Sequence, residues 1–348
     1  MQRKNFLKIV FFNFLLLFIG IVLIETFFGS WFKKNNFSSL IVKKNITKVW
    51  KPSHYKSDHK AMYKKDSNGF RGDYDDIKHI KIITVGGSTT DERWIDEKLT
   101  WSNILQEKLS NHLNDKFFKV ANAGVDGQSS KGHVKNFSLW FDKINNLKPK
   151  YVIFYLGIND AILLLVELEK HPKFKKTFSI ADNLVEEHSY DKVISYVKNN
   201  SALYNLYKII TGNIIARNYG LIHGTDTWES TYEKKDIELN TNNLQIKSFL
   251  SEYYSRLIQL KQYSKDQFQA EAIFITQRVP KNHYLETALS IINKQTKQFC
   301  VNENANCFKL DENLILEINV DLYDAFHTRP TGNKKISDYI FSEIIKKL

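Results

Sequence analysis

The stretch Lys81 to Thr90 reads KIITVGGSTT. Its β-branched core of Ile82, Ile83, Thr84 and Val85 is too short for a helix and is closed by Gly86 and Gly87, which predicts a buried parallel strand. Ser88 then stands in the turn that leaves the strand. Downstream, Trp101, Ile104, Leu105, Leu109 and Leu113 recur at helical spacing, and Asp91 and Glu92 suit the start of that helix. Unpaired backbone N–H groups and the positive helix end would then surround Ser88. Such a position suits three roles: a phosphate cradle, an acyl-transfer nucleophile, or a plain glycine-rich turn. No lysine follows the glycines as a P-loop requires, and there is no G-x-G-x-x-G.

Outward from this stretch, further strand-like runs occur at Lys119 to Ala121, Tyr151 to Leu156 and Ala272 to Thr276, with a weaker one at Phe308 to Leu310. Helical patterns at Trp101 to Leu113, Gly132 to Ile144, Ile237 to Tyr263 and Leu285 to Cys300 alternate with them. The alternation predicts a three-layer α/β/α sandwich around a central parallel sheet, with ligands bound beyond the carboxyl ends of the strands. Residues 161–240 break the rhythm and are expected to form an insertion. Its rings, Tyr204, Tyr207, Tyr219, Trp228 and Tyr232, would either line a groove or pack a small core of their own.

The amino end is of another kind. Phe6 to Phe28 is apolar but for Lys8, Asn13, Glu25 and Thr26, long enough for the roughly 20 residues that cross a bilayer. It closes with ETFFGSWFKK rather than small residues of the A-x-A kind, so an uncleaved single-pass anchor over residues 1–32 is expected instead of a signal peptide. Lysines flank both ends of the span. We expect the amino end in the cytoplasm and the remainder outside it. Residues 33–78 read as a polar stalk, and 79–348 as the folded domain.

Lys and Arg together number 50 against 38 Asp and Glu in the 348 residues, a net charge of +12. Only seven of the basic residues are Arg, and no dense basic helix appears, which argues against nucleic-acid binding. Cys300 and Cys307 lie close together in QFCVNENANCFKL; they would either bridge as a disulfide in an oxidising compartment or stay as core thiols.

The chemistry gathers after the strands. NAGVDGQSS, with Gly124 and Gly127, follows the second; LGIND, with Gly157, Asn159 and Asp160, follows the third; DAFH, with Asp324 and His327, lies near the carboxyl end. Acyl transfer needs a nucleophile, a base, a group that orients the base and donors for an oxyanion, and these blocks offer one of each.

In this order the blocks resemble the SGNH, or GDSL-like, hydrolase family over roughly Ile82 to Leu348, in a membrane-anchored bacterial form. The family's usual aspartate before the serine is replaced here by Gly87, and NGFRG at Asn68 to Gly72 is similar to a stretch in anchored relatives; its Arg71 would either approach the substrate or stand in a turn ending the stalk, and we expect the turn. The resemblance implies a flavodoxin-like fold and a catalytic set of Ser88 as nucleophile, His327 as base and Asp324 orienting it. It further implies an oxyanion hole from the N–H groups of Ser88 and Gly127 and the amide of Asn159, with Gly124 competing for the role of Gly127 and Asp160 structural. No cofactor or metal is expected. The implied activity is a serine esterase cleaving an acyl group, acetyl being the expected one, from a carbohydrate or lipid through an acyl-enzyme. An O-acyltransferase of cell-surface polysaccharide and an inactive carbohydrate-binding scaffold are the alternatives.

Overall fold

A computed structural model describes residues 2–29, 44–51, 60–74, 76–170 and 237–347, with Trp31, Val42, Asp182 and scattered positions between 197 and 214. The chain divides into two compact units, residues 1–40 with 185–222 and residues 41–184 with 223–348. In the first unit, helix α1 (Gln2–Phe28) carries an apolar stretch, Lys8–Phe28, long enough to cross a membrane. Its Glu25 accepts hydrogen bonds from Ser201 Oγ at 2.6 Å and from the N–H groups of Ala202 at 2.8 Å and Leu203 at 3.2 Å. A carboxylate within the apolar run thereby gains partners.

The second unit is the expected α/β/α sandwich. Five parallel strands lie in the order β4 (Lys119–Gly124), β3 (Ile80–Gly86), β5 (Tyr151–Tyr155), β6 (Glu271–Ile275) and β7 (Asn306–Phe308). Alternation sends successive side chains to opposite faces. On one face Ile82, Ile153, Ile273 and Ile275 pack with Leu105 and Leu109 of α3 (Trp101–His112) and with Ile336 and Ile340 of α8 (Pro330–Ile344). On the other, an aromatic chain runs from Phe137 of α4 (Ser130–Leu139) through Phe154 and Phe274 to Phe299 of α7 (Glu286–Asn302). Every residue in that chain is at most 2% exposed, and each such burial contributes about 1.5–3 kcal/mol. Helices α5 (Ile158–Glu167) and α6 (Leu244–Phe268) complete the layers.

Strand β3 is the topological switch: the chain passes first to β4 on one side and then to β5 on the other. Gly86 at its end pairs with both Gly124 and Tyr155, so the three strands finish level and the blocks that follow them converge.

Three expectations are corrected here. The helix after β3 is a single turn, α2 (Ser88–Asp91); the long helix starts separately at Trp101, where Thr100 Oγ1 accepts from Asn103 N–H. Asp91 is instead buried against Lys65 at 3.0 Å and the Tyr63 hydroxyl at 3.0 Å. The stalk expected over 33–78 is partly domain: β1 (Ile46–Trp50) and β2 (Ala61–Lys65) form an antiparallel pair, and Tyr63, Phe70 and Arg71 are buried. Arg71 N–H donates to Asn122 O at 2.8 Å, clipping the segment to the β4 edge. Finally, Ala161 to Val166, assigned to the insertion, are buried in α5. Most of the insertion and parts of the stalk, including Tyr219, Trp228 and Tyr232, lie outside the described residues.

Cys300 and Cys307 are disulfide-bonded, tying α7 to the edge strand β7.

Candidate active site

Ser88 opens α2 directly beyond β3, partly exposed, with its hydroxyl 2.8 Å from His327 Nε2. His327 Nδ1 lies 2.6 Å from Asp324 Oδ2. The three-residue spacing of the D-x-x-H block has a local cause: Asp324 Oδ1 accepts from the N–H groups of Phe326 at 2.9 Å and His327 at 2.7 Å. One carboxylate oxygen thus folds the loop as an Asx-type turn while the other holds the ring. Arg278 Nη1, in the segment after β6, donates to Ala325 O at 2.9 Å and braces the same loop.

The electrostatics follow from burial and neighbours. Burial disfavours a charge on His327, but the carboxylates of Asp324 and Asp126 outweigh it and raise the imidazole above its ordinary 6.5. Burial alone would push the Asp324 carboxyl up; the His327 ring and the two backbone donors hold it below the ordinary range. Burial pushes the neighbouring His283 down to about 4, so this second imidazole stays neutral at physiological pH.

On the other side of Ser88, Asn159 sits in the first turn of α5 and its Nδ2 donates to Gln128 O at 2.8 Å. That bond orients the amide and leaves a second N–H available. Gly127 adopts a φ of +77°, where a side chain is strained, and precedes Gln128 in the same loop. Neither the Ser88 nor the Gly127 N–H has a protein acceptor among the described residues. Gly124 is different: its N–H donates to Asn122 Oδ1 at 2.9 Å, its carbonyl accepts from Lys65 Nζ at 2.9 Å, and a Cβ there would lie 2.2 Å from Asp91 N. It is a packing glycine under α2. Asp160 is buried and accepts from Ser130 N–H at 3.2 Å.

Gly87 has a steric reason. A Cβ at this position would sit 2.2 Å from Asn159 Nδ2 and 3.2 Å from Gln128 O, the two atoms of one hydrogen bond. An aspartate here would displace the Asn159 amide, so in this chain the place is left to Asn159.

Several residues that build the site escape a reading by motif. Gln277 Nε2 donates to Thr89 Oγ1 at 3.1 Å and Tyr155 O at 3.2 Å, and its Oε1 accepts from Ile158 N–H at 3.2 Å, tying the turn at Ser88 to the helix that bears Asn159. Gln277 and Arg278 directly follow the Ala272 to Thr276 run, so inspecting the end of that strand would have found them. Asp126 pairs with Arg93 at 2.9 Å beside the histidine, Tyr323 stacks on the His327 ring at 5.5 Å, and Phe326 lies at 4.7 Å. These were single residues without a pattern.

The family model for GDSL-like lipase/acylhydrolase matches residues 82–340. No curated protein sequence matches the chain. Among solved structures, the chain is similar to a lipolytic G-D-S-L family member from Veillonella parvula at 12% identity, over 77% of this chain and 100% of that one, with a TM-score of 0.43. It is likewise similar to the lipase/acylhydrolase from Enterococcus faecalis at 12% identity, over 77% and 97% of the two chains, with a TM-score of 0.44. A catalytic mutant of an acetylxylan esterase from Geobacillus stearothermophilus is 13% identical over 76% and 93%, with a TM-score of 0.42.

Proposed function

The chain belongs to the GDSL-like lipase/acylhydrolase family and is an ester-hydrolysing enzyme, and on that premise we propose that it is a serine esterase removing an acyl group, acetyl in the first instance, from a carbohydrate or lipid. The observation that carries the reading is the unbroken hydrogen-bond path from Ser88 Oγ through His327 to Asp324. His327 Nε2 takes the hydroxyl proton as Ser88 Oγ bonds to the carbonyl carbon. The negative charge that grows on the carbonyl oxygen is held by the N–H groups of Ser88 and Gly127 and the second N–H of Asn159. The imidazolium returns its proton to the leaving alcohol, the C–O bond breaks, and acyl-Ser88 remains. Water, deprotonated by His327, then releases the acid and restores the serine.

The apolar stretch of α1 supports a single-pass anchor in the cell membrane, with the esterase domain on the outer side, where the Cys300–Cys307 bond would persist. The test is p-nitrophenyl acetate turnover by the detergent-solubilised full chain, with mass-spectrometric location of a fluorophosphonate adduct on Ser88. Turnover and an adduct at Ser88 are expected; an unlabelled, inactive folded chain refutes the reading. If an acetylated glycan is offered and the acyl group moves to another glycan hydroxyl instead of appearing as acetate, the enzyme is a transferase.

Asn159→Ala is expected to lower kcat by about 10²- to 10³-fold, the usual effect of removing one oxyanion donor. Saturation kinetics check it, and a kcat within threefold of wild type would remove Asn159 from the hole.

A pH effect follows from Asp126. The base must be neutral, so kcat/KM falls as pH drops through the raised pKa of His327. Asp126→Asn removes one of the carboxylates that raise it, so the acid limb moves to lower pH. Profiles of kcat/KM for both proteins decide; an unmoved limb contradicts the assignment.

A further inference from the structure

We propose that Glu92 and Thr328 form a strut that holds the nucleophile turn against the histidine loop, which makes Glu92 a positioning residue for the ester reaction. The inference rests on the serine-esterase reading. Glu92 closes α2 one turn after Ser88: its N–H donates to Ser88 O at 2.8 Å, and its φ of 46° is left-handed. A residue with a Cβ stays in that conformation only where its surroundings over-determine it. Here they do. Arg71, fully buried, donates to the carbonyls of Asp91 and Glu92 and to Ile95 O at 2.6 Å, so the NGFRG stretch serves to lock this backbone.

From that fixed backbone the carboxyl crosses to the other half of the site. Oε1 accepts from Thr328 Oγ1 at 3.0 Å and Oε2 accepts from Trp101 N–H at 3.0 Å. Thr328 is the residue after His327. Ser88 and His327 are 239 residues apart in sequence and share one hydrogen bond; the strut joins their backbones four residues beyond one and one residue beyond the other. A single hydrogen bond leaves two loops free to slide. A second, buried link fixes the separation on which proton transfer depends.

The carboxyl's chemistry fits this structural task. Burial pushes it up to about 8, with the Arg71 guanidinium, the Trp101 N–H and the Thr328 and Asn333 side chains opposing. The Asn333 side chain also hydrogen-bonds it, in the sense that favours the carboxylate. A glutamine is the conservative replacement: its Oε1 can accept from Trp101 N–H while its NH₂ donates to the Thr328 hydroxyl, which can reverse and accept.

The experiment compares Glu92→Ala, Glu92→Gln, Thr328→Val and the Glu92→Ala/Thr328→Val double variant in the full chain, by p-nitrophenyl acetate kinetics, fluorophosphonate labelling rate and thermal melting. Glu92→Ala and Thr328→Val should each lower kcat and labelling roughly 10- to 100-fold with little change in KM. The double variant should be no worse than Glu92→Ala, and Glu92→Gln should stay within a few-fold of wild type. Should Glu92→Ala fail to fold, Thr328→Val, which keeps the side-chain volume, together with Glu92→Gln carries the comparison. Folded Glu92→Ala and Thr328→Val proteins with wild-type kcat, or losses that multiply in the double variant, overturn the strut while leaving the esterase reading intact. A wild type that neither labels nor turns over ester overturns both.

Discussion

Ser88→Ala is expected to reduce ester turnover on the order of 10⁵- to 10⁶-fold and to abolish fluorophosphonate labelling, while the melting temperature stays near that of wild type. The size follows from what remains. Without Oγ there is no atom to carry the acyl group, so only water attack assisted by the oxyanion donors is left. The fold should not notice. The hydroxyl is partly exposed and its bond runs to His327 Nε2; the main-chain bond from Glu92 N–H to Ser88 O survives the change, and alanine is a better helix former than serine. Surface changes of this kind fall within about 0.5 kcal/mol. Steady-state turnover at several enzyme concentrations, beside a melting curve, makes the comparison. A residual activity of a few per cent that scales with enzyme would mean that Ser88 is not the nucleophile.

How far the sequence alone reaches differs from residue to residue. Strands β3, β5 and β6 are continuous apolar runs because both of their faces are covered, and such runs mark themselves. The blocks after β3, β4 and β5 were legible for the same reason, since finding the strand end locates the site. What escaped depends on partners distant in the chain. Arg71 reads as part of a turn ending the stalk, and nothing local reveals that its partners are main-chain carbonyls 20 and 21 residues on, in the turn after Ser88. Strands β1 and β2 are five residues each, and their lysines Lys48, Lys64 and Lys65 make them look like stalk, although Lys65 is buried against Asp91. Asp91 and Glu92 have the composition of a helix start, yet burial beside Lys65 and Arg71 turns them into the end of a one-turn helix. Gly124 and Gly127 cannot be told apart by composition. Only the approach of Asp91 to one and the positive φ of the other separate them.

Asp324→Asn separates the orienting role of the carboxylate from its role in folding the loop. An asparagine Oδ1 can still accept from the N–H groups of Phe326 and His327, so the turn that presents the histidine survives. The change falls on the other atom. Oδ2, which accepts from His327 Nδ1 at 2.6 Å, becomes an NH₂ donor, and two donors cannot face each other. The ring must leave Nδ1 bare and carry its proton on Nε2, the nitrogen that has to receive the proton of Ser88. The negative charge that raises the imidazole is lost as well. We therefore expect kcat to fall by about 10⁴ with little change in KM or melting temperature. Kinetics on p-nitrophenyl acetate at saturating substrate, together with a melt to show that the loop is intact, test this. A folded Asp324→Asn enzyme within tenfold of wild type would mean that the tautomer of His327 is set by some other group, and that the short D-x-x-H spacing serves only to shape the loop.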